Sequence, residues 1–284
     1  MSLQDAERRR AAGLVAPALL WTLAFFLLPF AFMAAMSFWQ RTPRGIEPTW
    51  TLANYAGFFG SPALREGLWN SLEIAAVVTA LSVVLAYPLA WFLAMVLPAR
   101  WQRLALMLAI LPFWTSYVVR SYAWFLLLAQ NGLVNQALTG AGLVEAPLTL
   151  ASTRLATILG FVHFFVMLNT LTIYANLVQL APNLSRAAAD LGASRLQTFV
   201  HVILPLTRPG ATVGAFLTFV LCIGDYITPQ ILGGSNELTL PQVIMLQIGR
   251  RADFPAAAAQ AIVLMAAVVL AYLACARWLK LERI

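Results

Sequence analysis

Ionisable side chains inside apolar sequence give the strongest indication of chemistry in this chain. Asp225 and Glu73 each interrupt a long run of apolar residues, and Arg120 interrupts a third. Burying a charged group in a bilayer costs several kcal/mol, so such residues are functional candidates by default. Carboxylates can replace the water around a cation, and aromatic rings can add cation–π contacts. The sequence therefore predicts a functional site within apolar surroundings.

An aromatic face accompanies these charges. Phe113, Tyr117, Arg120 and Trp124 recur at helical spacing, which places them on one face of a helix. The candidate path combines this face with the three ionisable residues and their neighbours: Asp225, Tyr226, Trp114, Tyr117, Arg120, Trp124 and Glu73.

Each of these residues also has a structural alternative. Asp225 could line a substrate path or neutralise Arg120. It could also accept hydrogen bonds from backbone groups that are left without partners where "GDYITP" breaks its helix. Glu73 could cap its span or extend toward the membrane surface. The Tyr/Trp face could be an interfacial belt or helix packing. We expect His163 and Asn169 to form interhelical hydrogen bonds rather than to bind a ligand.

The elements that position these residues are predicted from composition. The chain is 61% hydrophobic and only 10% charged, whereas about a quarter of a soluble domain is charged. About 20 apolar residues span a bilayer, and six stretches are long enough. They run approximately from Ala12 to Phe38, Asn70 to Leu97, Leu104 to Leu128, Arg154 to Val178, Gly210 to Leu232 and Ala256 to Leu279. The sequence predicts an all-α polytopic membrane protein with six transmembrane helices.

The distribution of basic residues predicts the orientation. Eleven of the eighteen lie in the two tails, around Arg100 and Arg103, and between the fourth and fifth runs. Because cytoplasmic loops are enriched in Arg and Lys, both termini should be cytoplasmic. We predict a cytoplasmic tail (1–11), a single six-helix transmembrane domain (12–279) and a second cytoplasmic tail (280–284).

Several functional classes are disfavoured. The net charge of +7 comes from arginines between apolar runs, a pattern that does not indicate nucleic-acid binding. The only lysine, Lys280, follows no glycine-rich turn, so the chain has no P-loop. Cys222 and Cys275 lie in apolar runs and are expected to act as small hydrophobes. With no HExxH or GxSxG pattern either, we predict no enzyme activity, no metal and no cofactor in this chain.

The segment "SRAAADLGASRLQTFVHVILPLTRPG" interrupts the hydrocarbon pattern between the fourth and fifth runs. Pro182 suits a first helical turn, with Asn183 or Ser185 as its cap. Gly192 can end this helix in the left-handed conformation. Three alanines at 187–189 leave a surface that another protein can approach closely, which favours protein docking over an amphipathic helix lying among headgroups.

A second short helix is predicted in the same segment. Ser194 and Gln197 have the spacing of a capping box, and "RLQTFVHVI" follows them. We expect this helix to end before Pro205. The segment 182–205 is therefore predicted to be a cytoplasmic loop of two helices bent at a glycine.

The loop resembles the EAA loop of ABC importer permeases. The resemblance is carried by Ala187, Ala188, Gly192, Val202, Leu204 and Pro205. Arg186 stands where the family has glutamate. The resemblance implies a coupling helix that fits a groove on an ATPase subunit. The residues expected to take part are Arg186, Ala187, Ala188, Asp190, Gly192, Leu204 and Pro205.

Two further stretches, "LPFWTSYVVRSYAWFLLL" and "GDYITPQILGG", resemble spermidine/putrescine permeases. This implies import of polyamines; permeases for thiamine, ferric iron, aminophosphonates or opines share much of the pattern. It also implies two copies of an ABC ATPase that bind ATP and Mg²⁺, a second homologous permease, a periplasmic binding protein and a bacterial inner membrane. An ATP-independent secondary transporter is a different-class alternative, but the repeated halves common in such proteins are not found.

Overall fold

The computed structural model describes residues 3–181, 183–234 and 237–279, with side chains omitted at 3–12, 112 and 275–279. Pro182 and the predicted tail 280–284 lie outside the described residues. The described chain is almost entirely helical, which confirms the all-α prediction. It forms two compact units, one of residues up to Arg65 with Ile244–Ala266 and one of Glu66–Val243 with the residues after Ala266.

The N-terminal part holds three helices and a short hairpin. Its elements are α1 (Leu3–Thr22), α2 (Leu28–Met36), β1 (Gln40–Thr42), β2 (Gly45–Glu47) and α3 (Ala53–Gly60). The strands pair antiparallel, with Arg41 opposite Ile46. The Asn54 side-chain amide donates to the backbone oxygens of Ser37 and Trp39, both at 2.8 Å, and so fixes the chain after α2.

The rest of the chain contributes eleven helices to the described structure. They are α4 (Pro62–Trp91), α5 (Ala99–Ile110), α6 (Tyr117–Leu128), α7 (Leu133–Gly140), α8 (Arg154–Leu177), α9 (Leu184–Asp190), α10 (Arg195–Thr198), α11 (Leu204–Gly224), α12 (Ile227–Leu232), α13 (Leu240–Leu246) and α14 (Phe254–Leu279). Four π-helical turns and one 3₁₀ turn join or extend them: Leu23–Leu27, Phe92–Val96, Phe199–Ile203, Gln247–Arg251 and Leu111–Trp114.

Five of the six predicted spans are confirmed as continuous helices long and apolar enough to cross a membrane. These are Gly13–Met36, Pro62–Val96, Arg154–Leu177, Arg195–Gly224 and Phe254–Ala274. The predicted third span, Leu104–Leu128, is wrong as a single helix because it divides into α5 and α6. The backbone at Pro112 has no N–H to offer a helical ladder, and Ser116 is extended before it starts α6.

The fifth span differs from its prediction at both ends. It begins at Arg195 rather than Gly210, because Pro205 does not end the preceding helix. A π-helical turn, closed by the Leu204 N–H donating to Phe199 O, places Pro205 in the first turn of α11, where its missing N–H is tolerated. At the other end the helix stops at Gly224, and α12 continues separately to Leu232.

The helices α8 and α11 pack closely along their length. Two glycines of α11 allow this approach: a Cβ added at Gly210 would lie 2.7 Å from Thr172 O, and one added at Gly214 would lie 2.6 Å from Asn169 Oδ1. The Asn169 amide also donates to Thr218 Oγ1 at 2.7 Å, which confirms the predicted interhelical hydrogen bond. The loop between these helices is therefore mounted on a tightly joined pair.

Candidate functional site

An open recess of about 310 Å³ brings Asp225 and Tyr117 together. Its wall is otherwise formed by Val220, Leu221, Gly224 and Ile227. The recess exists because the helical ladder stops at Gly224 and leaves Asp225 extended, half-buried beside the start of α12. Two residues of the predicted path, one from α6 and one from the break between α11 and α12, thus line one cavity.

The Asp225 carboxylate holds the broken helix. Its Oδ1 accepts from the Ile227 backbone N–H at 2.7 Å, and its Oδ2 accepts from Thr228 Oγ1 at 2.6 Å. These bonds supply partners to the first turn of α12, as expected if the break needs one. Each carboxylate oxygen has a second lone pair, so the group can still accept from a donor in the recess.

Arg120 lies behind the recess, enclosed by rings. Its side chain is buried, and its guanidinium carbon lies 4.7 Å from the Tyr117 ring centroid and 4.4 Å from that of Phe164. Cation–π contacts on two rings stabilise a buried guanidinium, so Tyr117 faces both the arginine and the recess.

The other predicted aromatic residues have separate positions. Trp124 Nε1 donates to His163 Nδ1 at 2.9 Å, which joins α6 to α8 and confirms the hydrogen bond expected of His163. Trp114 is 87% exposed at the end of the 3₁₀ turn, and Tyr226 is 38% exposed beside Asp225. Phe113 packs on Phe164, with ring centroids 4.6 Å apart.

Glu73 takes part in an ion pair that the sequence did not indicate. Its Oε2 lies 2.8 Å from Arg154 Nη2, and Arg154 Nη1 lies 3.8 Å from Glu237 Oε2. Two carboxylates thus offset a cation at the positive end of α8, where it opposes the helix dipole. Glu73 links α4 to the first residue of α8.

Sequence reasoning also missed Thr228 and Phe164. A signal for Thr228 was available, because the glycine and proline of "GDYITP" mark a helix break at which nearby polar side chains can bond to one another. Phe164 lies in the uniformly apolar "FVHFFV", where nothing distinguishes the ring that contacts Arg120.

The first helix of the predicted loop is α9, and it ends just before Gly192 as expected. Gly192 has φ +83°, and its N–H donates to Ala189 O at 2.9 Å while the Ala193 N–H donates to Ala188 O at 3.0 Å. These two bonds form a Schellman motif. The predicted cap is wrong: the Asn183 side chain makes no capping hydrogen bond, and Ser185 lies inside the helix.

The second part of the loop confirms the capping box. The Ser194 N–H donates to Gln197 Oε1 at 2.8 Å, and the Gln197 N–H donates to Ser194 Oγ at 3.3 Å. The helix that follows is not separate, however, because it is the first turn of the fifth span. Leu204 and Pro205 accordingly lie within that span rather than in the loop.

Most of α9 is available for contact. Ala188 is buried and anchors the helix, whereas Arg186, Ala187 and Asp190 are exposed. Leu191, directly after the helix, is 89% exposed. A small-residue surface with one apolar projection suits a protein groove.

Comparison with known proteins identifies the family. The model of the family described as "Binding-protein-dependent transport system inner membrane component" matches residues 86–280. The chain belongs to this family. The permease is 35% identical over 245 residues to the spermidine/putrescine transport system permease protein PotB of Salmonella typhimurium, covering 86% of this chain and 85% of that one. The PotB of Escherichia coli has the same identity over 245 residues, with 86% and 88% covered.

Solved structures share the fold of this permease. A crystal structure of a bacterial ABC transporter involved in import of the acidic polysaccharide alginate has a TM-score of 0.77 at 17% identity, with 99% of both chains covered. The alginate transporter in complex with alginate pentasaccharide-bound periplasmic protein has a TM-score of 0.75 at 18% identity, with 98% of both covered. The family match and the 35% identical relatives confirm the predicted resemblance to ABC importer permeases.

Proposed function

We propose that this permease imports polyamines, of which spermidine and putrescine are the expected substrates. The observation that carries the proposal is the recess in which the Asp225 carboxylate and the Tyr117 ring face one space. A carboxylate with free lone pairs and an aromatic ring are the groups that replace water around an ammonium. The names of the 35% identical relatives support the same substrate.

The buried arginine is compatible with a cationic substrate. Its guanidinium is covered by the rings of Tyr117 and Phe164. A passing ammonium group would meet the Asp225 oxygens before Arg120. In this proposal Tyr226 and Trp114 extend the path as exposed aromatic surface, while Glu73 and Trp124 keep structural roles.

The driving force comes from partner subunits. We propose that two copies of an ABC ATPase bind ATP and Mg²⁺, and that one of them docks on the exposed surface of α9. Arg186 and Asp190 are exposed there, so the partner should present an acidic group to Arg186. Because α8 and α11 are tightly packed, displacement of the loop is transmitted to the Asp225 end of α11.

The path also needs a second half. Residues 12–279 act as one transmembrane domain beside a second, homologous permease, and a periplasmic binding protein delivers substrate on the outer side. Both termini are cytoplasmic in this arrangement, as the positive-inside rule indicates. The crystal structure with a periplasmic protein supports the delivery step.

The test is ATPase activity of the whole complex. The permease would be co-purified in nanodiscs with its neighbouring ATPase, second permease and binding protein, and hydrolysis compared with spermidine, putrescine, thiamine, ferric iron and an aminophosphonate. Stimulation by polyamines alone is expected. Stimulation by another solute would overturn the substrate while keeping the architecture.

Removal of residues 185–195 tests the coupling step. An ABC permease without this segment should still insert in the membrane but should lose substrate-stimulated hydrolysis, because the ATPase has lost its docking surface. Continued substrate transport by the deleted protein would instead indicate a secondary transporter.

A further inference from the structure

A larger cavity of about 1110 Å³ lies beside α9, away from the Asp225 recess. One wall is the end of the second span, including Tyr87, Trp91 and Met95; the other includes Ala189 and Phe199. Its volume exceeds the usual range of about 300–1,000 Å³ for small-molecule sites. We name it the loop groove.

The wall of the loop groove is rigid and apolar. The Phe199 ring meets Tyr87 and Trp91 edge-on, with centroids 5.7 Å and 5.6 Å away. Tyr87 is held further by a hydrogen bond with Thr207. Since the wall from α4 belongs to the membrane span Pro62–Val96, the groove lies within reach of bilayer hydrocarbon.

Positive charge is confined to the loop end of this groove. Arg195 lines it there and is the first residue of the continuous helix Arg195–Gly224. The N-terminus of such a helix favours an anion, and the arginine adds a full charge. The Ser185 hydroxyl lines the same end. An occupant must therefore combine long apolar chains with an anionic head.

We propose that the loop groove binds an anionic phospholipid of the cytoplasmic leaflet. The acyl chains lie along the Tyr87–Trp91–Phe199 wall, and the phosphate lies beside Arg195 and Ser185. Basic recesses between transmembrane helices on the cytoplasmic side are known sites for acidic headgroups. The proposal rests on the cytoplasmic placement of the loop given above. The lipid would brace α9 against the end of α4.

Photolabelling tests this proposal on the assembled transporter. The complex would be placed in nanodiscs of phosphatidylcholine containing a fraction of phosphatidylglycerol that carries a photoreactive group in its acyl chain. Labelled peptides should include residues 83–96 and 196–204, more strongly than with the same probe on phosphatidylcholine. Arg195→Gln should lower the phosphatidylglycerol labelling about fivefold, because this is the contribution of one arginine to binding at an anionic surface.

Two variants control the result. Arg103→Gln removes an exposed arginine on the same predicted side and should leave groove labelling unchanged. Val84→Trp fills the groove from the exposed wall of α4 and should abolish labelling there with either headgroup.

Two outcomes would overturn the proposal. Equal labelling by the phosphatidylglycerol and phosphatidylcholine probes would mean that the groove contacts only ordinary boundary lipid. Protection of the groove together with a cross-link to another subunit would mean a protein occupant. Labelling requires no ATP hydrolysis, so a failure of the proposed transport function would appear separately, as lost coupling with labelling intact.

Discussion

At the scale of the residue, Asp225 combines two tasks. It accepts hydrogen bonds from Ile227 and Thr228 to start α12, and it faces the recess beside Tyr117. Three alternative roles for this residue were compatible with the sequence alone. The geometry assigns the helix-start role directly and leaves lone pairs for a substrate.

Asp225→Asn separates these tasks. The amide oxygen can still accept from Ile227, but the negative charge is lost. Spermidine uptake should therefore fall about tenfold, which corresponds to the loss of one charge-assisted hydrogen bond. Initial uptake rates in proteoliposomes would measure it. The matched control is Thr228→Val, which removes one hydrogen bond and keeps the carboxylate. If Thr228→Val lowers uptake as much as Asp225→Asn, the carboxylate acts through α12 alone.

At the scale of the element, Gly192 determines the shape of the docking loop. Its φ of +83° closes the Schellman motif, and no described atom lies within 4 Å of an added Cβ. Gly192→Ala should therefore cost about 1 kcal/mol through backbone strain alone. That strain should loosen α9 and reduce substrate-stimulated ATP hydrolysis.

Gly142→Ala is the control for this prediction. Gly142 also has positive φ (+68°) and open space around it, but it lies in the connection after α7. The two variants should lower the melting temperature similarly, whereas only Gly192→Ala should reduce coupling. Equal loss of coupling in both would contradict a specific role for the loop.

The close pair of α8 and α11 gives a second prediction at this scale. Gly210→Ala would press a methyl group against the Asn176 side chain and Thr172 O. Overpacking of this kind destabilises by about 1–3 kcal/mol, which thermal unfolding in detergent would detect. Gly13→Ala, also in a helix but with no described atom within 4 Å, should be close to neutral. An unchanged melting temperature for Gly210→Ala would mean that the helices separate easily.

At the scale of the whole molecule, the sequence predicted the features that depend on hydropathy and on the length of apolar segments. Five spans follow from apolar runs, and the Gly192 turn and the Ser194–Gln197 box follow from local backbone chemistry. The break at 111–116 was missed because hydropathy averaged over a span hides Thr115 and Ser116 and takes no account of Pro112, whose missing N–H disfavours a continuous helix. The Glu73–Arg154 pair could not be predicted, because it joins residues far apart in the chain.

Orientation is the prediction that belongs to this scale. In intact cells, a membrane-impermeant maleimide should label Glu145→Cys and should reach Leu191→Cys only after the membrane is opened. Both positions are exposed, the native Cys222 is buried, and Cys275 would be replaced by Ala in both variants. Labelling of Leu191→Cys in intact cells would reverse the assigned topology.

The π-helical turn at Phe199–Ile203 determines where the fifth span, Arg195–Gly224, can change in length. It inserts one residue into the ladder, and successive helical residues differ by about 100° in azimuth. Because the extra residue is absorbed within the turn, deleting one residue there would restore an α-helical turn and keep the loop end in the same rotational phase against the side of α11 that faces α8. A single-residue deletion elsewhere in the span would instead rotate the loop end by about 100°. The turn is therefore the place where the fifth span can lose a residue without turning the docking surface away from its partner.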